Sequence, residues 1–518
     1  MNRALNIERL REQKQWDIFV IGGGATGLGI ALDAATRGYS VALAEKTDFA
    51  KGTSGRSTKL VHGGVRYLAQ GNIKLVKEAL KERGILLKNA PHLTKTQLFI
   101  VPAYSWWDLV FYGIGLRLYH FLAGKRNLNG VHWLTADEVK SALPALNCKG
   151  LKGGISYCDG QFDDARLAIG LAQTATAFGA VIVNHTEVVE LIVDNKKIKG
   201  VLLKDAFTGE EIAIRAKVVI NATGVFVDHI MQMDLVSTPK MISPSQGVHL
   251  VVDRKFFSGD AALMVPKTSD GRVLFIVPWH NQLVIGTTDT LVDRLSEEPQ
   301  ALATEINFIL THFNKYSVQP ITEKDIKSVY AGLRPLVKTS NISATALLSR
   351  EHTIIVSAKG LITIAGGKWT TYRKMAKDVV QNAIFIGKLE KRRCITQIVE
   401  IHGFSATALE DDVYTIYGTD ARLLKLLIEQ EPALAKRLHA EYPYTQAQVV
   451  WAVREEMALT VEDVLSRRIR LLIEDARAAM EVAPVVAALM AKELGKGSDW
   501  ADLSCKNFME VAQQYIIQ

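Results

Sequence analysis

Cysteine is scarce in this chain: four residues, Cys148, Cys158, Cys394 and Cys505, scattered along 518. That excludes a disulfide framework, and the absence of any C-x-x-C pair argues against a zinc site, so reduced thiols and no metal are expected. Proline, at 13 residues, leaves little material for long stiff linkers. No run reaches the roughly 20 uninterrupted apolar residues of a membrane span. The nearest, Trp106 to Ala123, is broken by Asp108, Arg117, His120, Gly113 and Gly115. The first residues, MNRALNIERLREQKQWD, lack the apolar stretch of a signal peptide, so a cytoplasmic location is expected.

The chain is long enough for two or three domains, and with 48% apolar and 22% charged residues it reads as globular. Lys and Arg exceed Asp and Glu by eight, but unevenly: residues 401 onward carry 12 basic against 18 acidic side chains, leaving a balance of +14 on residues 1–400. An excess of that kind suits an anionic cofactor or substrate, an acidic membrane surface or a nucleic acid.

Residues 17–21 (DIFVI) read as a short buried strand, followed by a glycine cluster, a helical pattern ending at Gly38, and a second strand ending in Glu45. This is the opening of a doubly wound parallel sheet. Gly22-x-Gly24-x-x-Gly27 therefore stands where a dinucleotide fingerprint has to stand, with glycines admitting a pyrophosphate to the helix N-terminus. Glu45 falls at the distance where a carboxylate takes ribose hydroxyls. The same domain resumes in ARLAIGLAQTATAF (165–178), AKVVINATG and GLITIAGGKWTTYRK, while GVHLVVD, RVLFIVPW and QLVIGTTD predict a largely antiparallel sheet roofing a pocket. Helical periods dominate after residue 391. The expected division is a dinucleotide-binding domain of residues 1–90, 165–230 and 345–390, a substrate domain of 91–164 and 231–344, and a helical domain of 391–518.

Fingerprint and acid alone do not separate FAD from a nicotinamide cofactor. The choice of FAD comes from GTSGRSTKLVHGGVRYL (52–68), whose small hydroxyl residues, Lys59 and His62-Gly63-Gly64 suit an extended cofactor, and from Ala222-Thr223-Gly224 at a strand end. HGGVRYL, the NATG strand end, YAGLRPL, GGKWTTYRK and DVLSRRIRLLIED together resemble the FAD-dependent glycerol-3-phosphate dehydrogenases over nearly the whole chain. The resemblance implies an enzyme that oxidises sn-glycerol 3-phosphate to dihydroxyacetone phosphate and passes electrons to a membrane quinone. It implies further cofactor contacts at Thr26, Thr53, Ser54, Ser57, Val188, Asp289, Gly366, Gly367 and Thr370. For the substrate it implies Arg66, Tyr67, Arg350 and Lys368, guanidinium forks binding phosphate bidentately and lysine acting as a point charge. His249 is the implied proton acceptor, Arg334 the group that stabilises the alkoxide, and His62 packs against the flavin.

The segment from Trp106 to Arg126 is rich in aromatics and ends in Lys125 and Arg126, a composition suited either to a membrane interface or to a buried helix; the family's peripheral association with the inner face of the cell membrane favours the first. Arg467, Arg468 and Arg470 are expected on one helix face, forming ion pairs that tie the helical domain to the FAD domain. A homodimer is compatible with the sequence. An oxidase that gives its electrons to oxygen, a basic FAD-containing nucleic-acid-binding protein and a membrane-docked flavin sensor are the competing readings; no RNA-binding motif or basic tail supports the second, and nucleic acid is not an expected partner.

Overall fold

In the computed structural model, which describes residues 1–69, 71–338, 351–405 and 413–517 apart from the side chains of 66 and 69, the apolar run before the glycine cluster is the strand Trp16–Ile21. It lies inside an eight-stranded sheet, flanked by Val41–Ala44 and Glu211–Asn221, both parallel to it. Val181–Val183 and Ile362–Gly366 extend the parallel array on either side, and His352–Val356 closes one edge antiparallel. Both faces of a parallel sheet are covered, which is why these strands read as continuous apolar runs. The helices Ala25–Thr36, Asp164–Ala177 and Tyr372–Ile386 share one core with the sheet, built from residues such as Val20, Leu28, Leu167 and Val379.

A second sheet of ten strands is mixed rather than purely antiparallel, because Ala262–Val265 pairs parallel with Thr94–Ala103. Its long strands Ile242–Asp253 and Ile326–Val337 pair antiparallel, with Ser245 opposite Arg334, Gly247 opposite Gly332 and His249 opposite Tyr330. Side chains alternate between the faces of a strand. Val248, Leu250 and Val252 accordingly enter a core with Ile309 and Phe313 of the helix Ala303–Tyr316, which turns Ser245, Gly247 and His249 the other way.

The C-terminal part is helical and packs on this second sheet: Leu465, Ile469, Leu472 and Ile473 share a core with Val251, Trp279, Val284 and Tyr330. Arg467, Arg468 and Arg470 do not share one helix face. Asp463–Arg468 forms a π-turn and Arg470 is left-handed (φ 65°), which spreads the three guanidiniums. Arg467 and Arg468 both pair with Asp48 of the first domain, and Arg470 donates to Asp164 Oδ1 at 2.8 Å. Asp48, His185 and Asp463 cluster closely enough to suggest a cation site, but the guanidiniums of Arg467 and Arg468 already occupy these carboxylates.

Candidate active site

A cavity of about 960 Å³ runs from the glycine turn after the first strand to the face of the second sheet. At its nucleotide end, Gly22 has a positive φ (108°), and a Cβ there would stand 2.8 Å from the carbonyl oxygen of Ala222. A Cβ on Gly27 would come within 1.9 Å of the Gly22 carbonyl oxygen, so the helix Ala25–Thr36 approaches the turn only because that position is glycine. Gly24 caps this helix with no side chain of its own; Ser54 Oγ accepts from the Ala25 N–H at 2.9 Å, and the positive end of the helix faces the cavity. Glu45 accepts from the Gly23 N–H (2.6 Å) and from the Thr47 N–H (3.0 Å). Burial pushes its carboxyl up, opposed by those hydrogen bonds. Length, glycine cradle and half-buried carboxylate fit a dinucleotide with an adenine-ribose end and a second ring system deeper in the chamber.

Most of the expected cofactor residues meet here: Gly22, Gly24, Thr26, Glu45, Thr53, Ser54, Ser57, His62, Val188, Ala222, Thr223, Gly224, Asp289, Gly366, Gly367 and Thr370 all line the cavity. Gly27 serves packing instead. Lys59 and Gly63 are turned away. Lys59 is fully buried, pairs with Asp164 at 2.7 Å, and desolvation lowers its ammonium to about 8. Gly63 donates its N–H to the Tyr119 hydroxyl. Asp289 lines the wall, but its carboxylate is engaged by Ser245 and Arg334, which makes it an anchor for the arginine.

At the far end, His249 is buried, with Nε2 2.8 Å from Thr58 Oγ1 and its ring stacked on Tyr330 (4.8 Å, 13°). Burial, then the nearby Lys59 and Arg334 cations, hold its pKa well below the usual histidine value. The imidazole is therefore neutral at physiological pH. Arg334 is fixed by the carbonyl oxygens of Gln246 (3.2 Å) and Thr288 (2.9 Å) and by Thr287 Oγ1 (3.1 Å). Gly247 makes room for it, since a Cβ there would lie 2.3 Å from Arg334 Nη2. Lys368 stands with its Nζ 3.8 Å from the centre of the Tyr67 ring, and both line the cavity. Arg66 sits on the adjoining short helix Val65–Ala69, its side chain outside the described residues, as is all of Arg350.

Four wall residues went unnoticed in the sequence. Arg56 and Arg272 line the chamber as further cations, tied to Glu298 (2.7 Å) and Asp270 (2.6 Å) respectively. Thr58 and Gly247 hold or clear the space around His249 and Arg334. The signal for Gly247 was present in SQGVH and YAGLR, where a glycine sits two residues from the functional side chain in each of two paired strands, but only the register makes them opposite.

Fold and site together define a dinucleotide-dependent oxidoreductase of the flavin type, with a buried histidine and fixed cations beyond the cofactor cradle. A family model described as FAD dependent oxidoreductase matches residues 17–373, and one described as the C-terminal domain of alpha-glycerophosphate oxidase matches residues 361–501. The mitochondrial glycerol-3-phosphate dehydrogenase of Mesocricetus auratus is 39% identical over 550 residues, spanning 99% of this chain and 75% of that protein. Its Homo sapiens counterpart is 37% identical over 551 residues, with the same coverage. The glycerol-3-phosphate dehydrogenase of Bacillus halodurans, solved with FAD, matches at a TM-score of 0.82 and 30% identity over 99% of this chain and 97% of that one. The chain belongs to the FAD-dependent glycerol-3-phosphate dehydrogenases.

Proposed function

We propose that this enzyme oxidises the secondary alcohol of sn-glycerol 3-phosphate to dihydroxyacetone phosphate and delivers the electrons to a membrane quinone. The observation that carries the reading is the pairing of His249 and Arg334 on one face of two adjacent strands, looking into the chamber that the glycine cradle opens. Bound FAD supplies the acceptor for the C2 hydride; Glu45, the Gly22 to Gly27 turn and Ala222 to Gly224 would hold it. The protein's own work is to bind, orient and deprotonate. Lys368 and Tyr67, with Arg66 next to Tyr67 in sequence, take the phosphate. Arg334, prevented from swinging by the neighbouring oxygens of Ser245, Gln246, Thr287, Thr288 and Asp289, meets the C2 oxygen as its proton leaves. Neutral His249 takes that proton. Binding energy from the phosphate, remote from the reacting carbon, orients C2 for transfer.

Anaerobic mixing of the flavin-loaded protein with glycerol 3-phosphate tests this. The oxidised flavin band is expected to bleach, whereas glycerol at the same concentration leaves it intact; equal bleaching by glycerol would overturn the phosphate clamp, and no bleaching by either would overturn the substrate. The match of residues 361–501 to an oxidase C-terminal domain favours one second reading, in which oxygen takes the electrons. Peroxide formed per substrate consumed decides between the two.

Among the described residues no helix is long and apolar enough to cross a membrane. The helix Trp106–Ala123 nevertheless leaves Trp106, Trp107, Phe111, Ile114 and Phe121 exposed, Trp107 at 76% and Phe121 at 78%, with Lys125 and Arg126 at its end. Only Gly113, Leu116 and Tyr119 are buried on it. A face so apolar on a soluble protein calls for a partner, and aromatics beside cations suit the headgroup region of an anionic bilayer. Phe111 and Tyr112 of this helix also line the cavity, which supports a route by which a lipid-soluble acceptor reaches it from the bilayer. The protein is expected to sediment with anionic liposomes at low salt, and Trp107→Ser with Phe121→Ser to weaken that strongly; no sedimentation of the intact protein counts against the interfacial helix.

A further inference from the structure

The protonation path to His249 is restricted by its surroundings. One face of the imidazole is covered by Tyr330. The backbone of Gly286 is pressed so close that a Cβ there would lie 2.2 Å from the ring Cδ2. Nδ1 is buried and has no hydrogen-bond partner among the described residues. A proton arriving from the cavity therefore has to arrive at Nε2, and Thr58 Oγ1 occupies that position at 2.8 Å while itself lining the cavity. For Nε2 to gain a proton it has to carry a lone pair, and in the tautomer that provides one the ring hydrogen is on Nδ1 and the Thr58 hydroxyl donates to Nε2.

We propose that Thr58 is a catalytic residue through which His249 takes the substrate's alcohol proton, an inference that rests on the reading of His249 as the base. The C2 hydroxyl gives its proton to Thr58 Oγ1 as the threonine's own proton passes to His249 Nε2. The C2–H bond breaks with its electron pair leaving as hydride for the acceptor of the established reaction, and the carbonyl forms. Threonine ends neutral and the imidazole ends as imidazolium.

A relay works only if the hydroxyl is held still, and the backbone on both sides of Thr58 is pinned. Ser57 donates to Asp164 Oδ2 through its N–H (3.0 Å) and its hydroxyl (2.7 Å), and Lys59 donates to the same oxygen at 2.7 Å. Arg470 of the helical domain donates to Asp164 Oδ1 (2.8 Å) and to the Gly55 carbonyl oxygen (3.0 Å). This assigns the helical domain a part in the chemistry, since it clamps the carboxylate on which the relay loop hangs.

The experiment compares Thr58→Val, which keeps the shape and loses the hydroxyl, with Thr58→Ser, each alone and combined with His249→Gln, in flavin-loaded protein turning over glycerol 3-phosphate. Flavin absorbance per chain reports that the fold is retained, and Thr58→Ala, judged by the same criteria, replaces a valine variant that fails to fold. Thr58→Val is expected to lower kcat by about 10²-fold with KM little changed, Thr58→Ser to restore most of the loss, and Thr58→Val to cost nothing further once His249 is glutamine. Wild-type kcat in Thr58→Val beside an impaired His249→Gln overturns the relay and leaves the base in place, as does a valine effect that persists in full without His249. Wild-type turnover in His249→Gln overturns the base, and the relay with it.

Discussion

His249→Gln is expected to retain FAD and to bind glycerol 3-phosphate while turning over about 10² to 10⁴ times more slowly, the range that a positioned general base contributes. Glutamine reaches the same neighbourhood and can hydrogen-bond Thr58, but it has no lone pair basic enough to accept the alcohol proton. A loss confined to kcat, with KM near its original value, is the signature of an interaction made in the transition state alone. The pH profile supplies a second check. Burial and the Lys59 and Arg334 cations disfavour the imidazolium, so the folded pKa lies below the ordinary value of about 6.5. As pH falls from neutrality, the base stays neutral beyond the point where an exposed histidine would charge, and kcat/KM is expected to keep its plateau below pH ~6.5. Unaltered kcat in the variant, or an acid limb at or above that pH that His249→Gln removes, argues against this account.

The second large effect is structural. Asp48, just past the strand Val41–Ala44, is buried and receives both Arg467 and Arg468, with Arg467 Nε at 2.5 Å and Arg468 Nη2 at 3.0 Å from its oxygens. It also accepts from the Asn184 amide at 3.0 Å. Asp48→Ala leaves two guanidiniums in a dry interface with fewer counter-charges. Removing one partner of a buried pair costs about 3 to 5 kcal/mol, against a total stability of about 5 to 15 kcal/mol for an ordinary domain. The variant is expected to melt at a clearly lower temperature, with a separate early transition as the helical domain comes off the FAD domain. Glu210→Ala, which breaks the solvent-exposed pair with Arg11, is expected to leave the melting curve where it was. Equal melting of Asp48→Ala and wild type would mean that these arginines find other partners.

Much of this molecule is legible in the sequence because its signals are local. A strand, a glycine turn and a helix occupy consecutive residues, so the cradle for the dinucleotide shows in residues 16–45 as a pattern of burial and backbone freedom. The ladder of apolar runs, the helical periods after residue 391 and the clustering of aromatics around Trp107 are local in the same way, whereas the exposure of those aromatics is decided by packing. The three arginines of DVLSRRIR mark the limit of that reading. Their ion-pairing character shows in the residue types, but the π-turn and the left-handed Arg470 that aim them at Asp48 and Asp164 follow from packing against residues more than 300 positions away.

By itself the sequence determined the two-sheet and helical organisation, the flavin cradle and the concentration of positive charge on the part that binds an anion. Tertiary structure alone decided which of the named side chains share the chamber with His249 and which are withdrawn from it. Lys59, read as a cofactor contact, is withdrawn into a buried ion pair with Asp164, while its neighbour Thr58 faces His249 from 191 positions away in the chain. Lys59 stands in a bend with a left-handed backbone (φ 63°) just before the strand Leu60–Val61, which turns it away from its neighbour, and which of the two faces the cavity depends on elements such as Asp164 and the His249 strand that meet them only when the chain is folded.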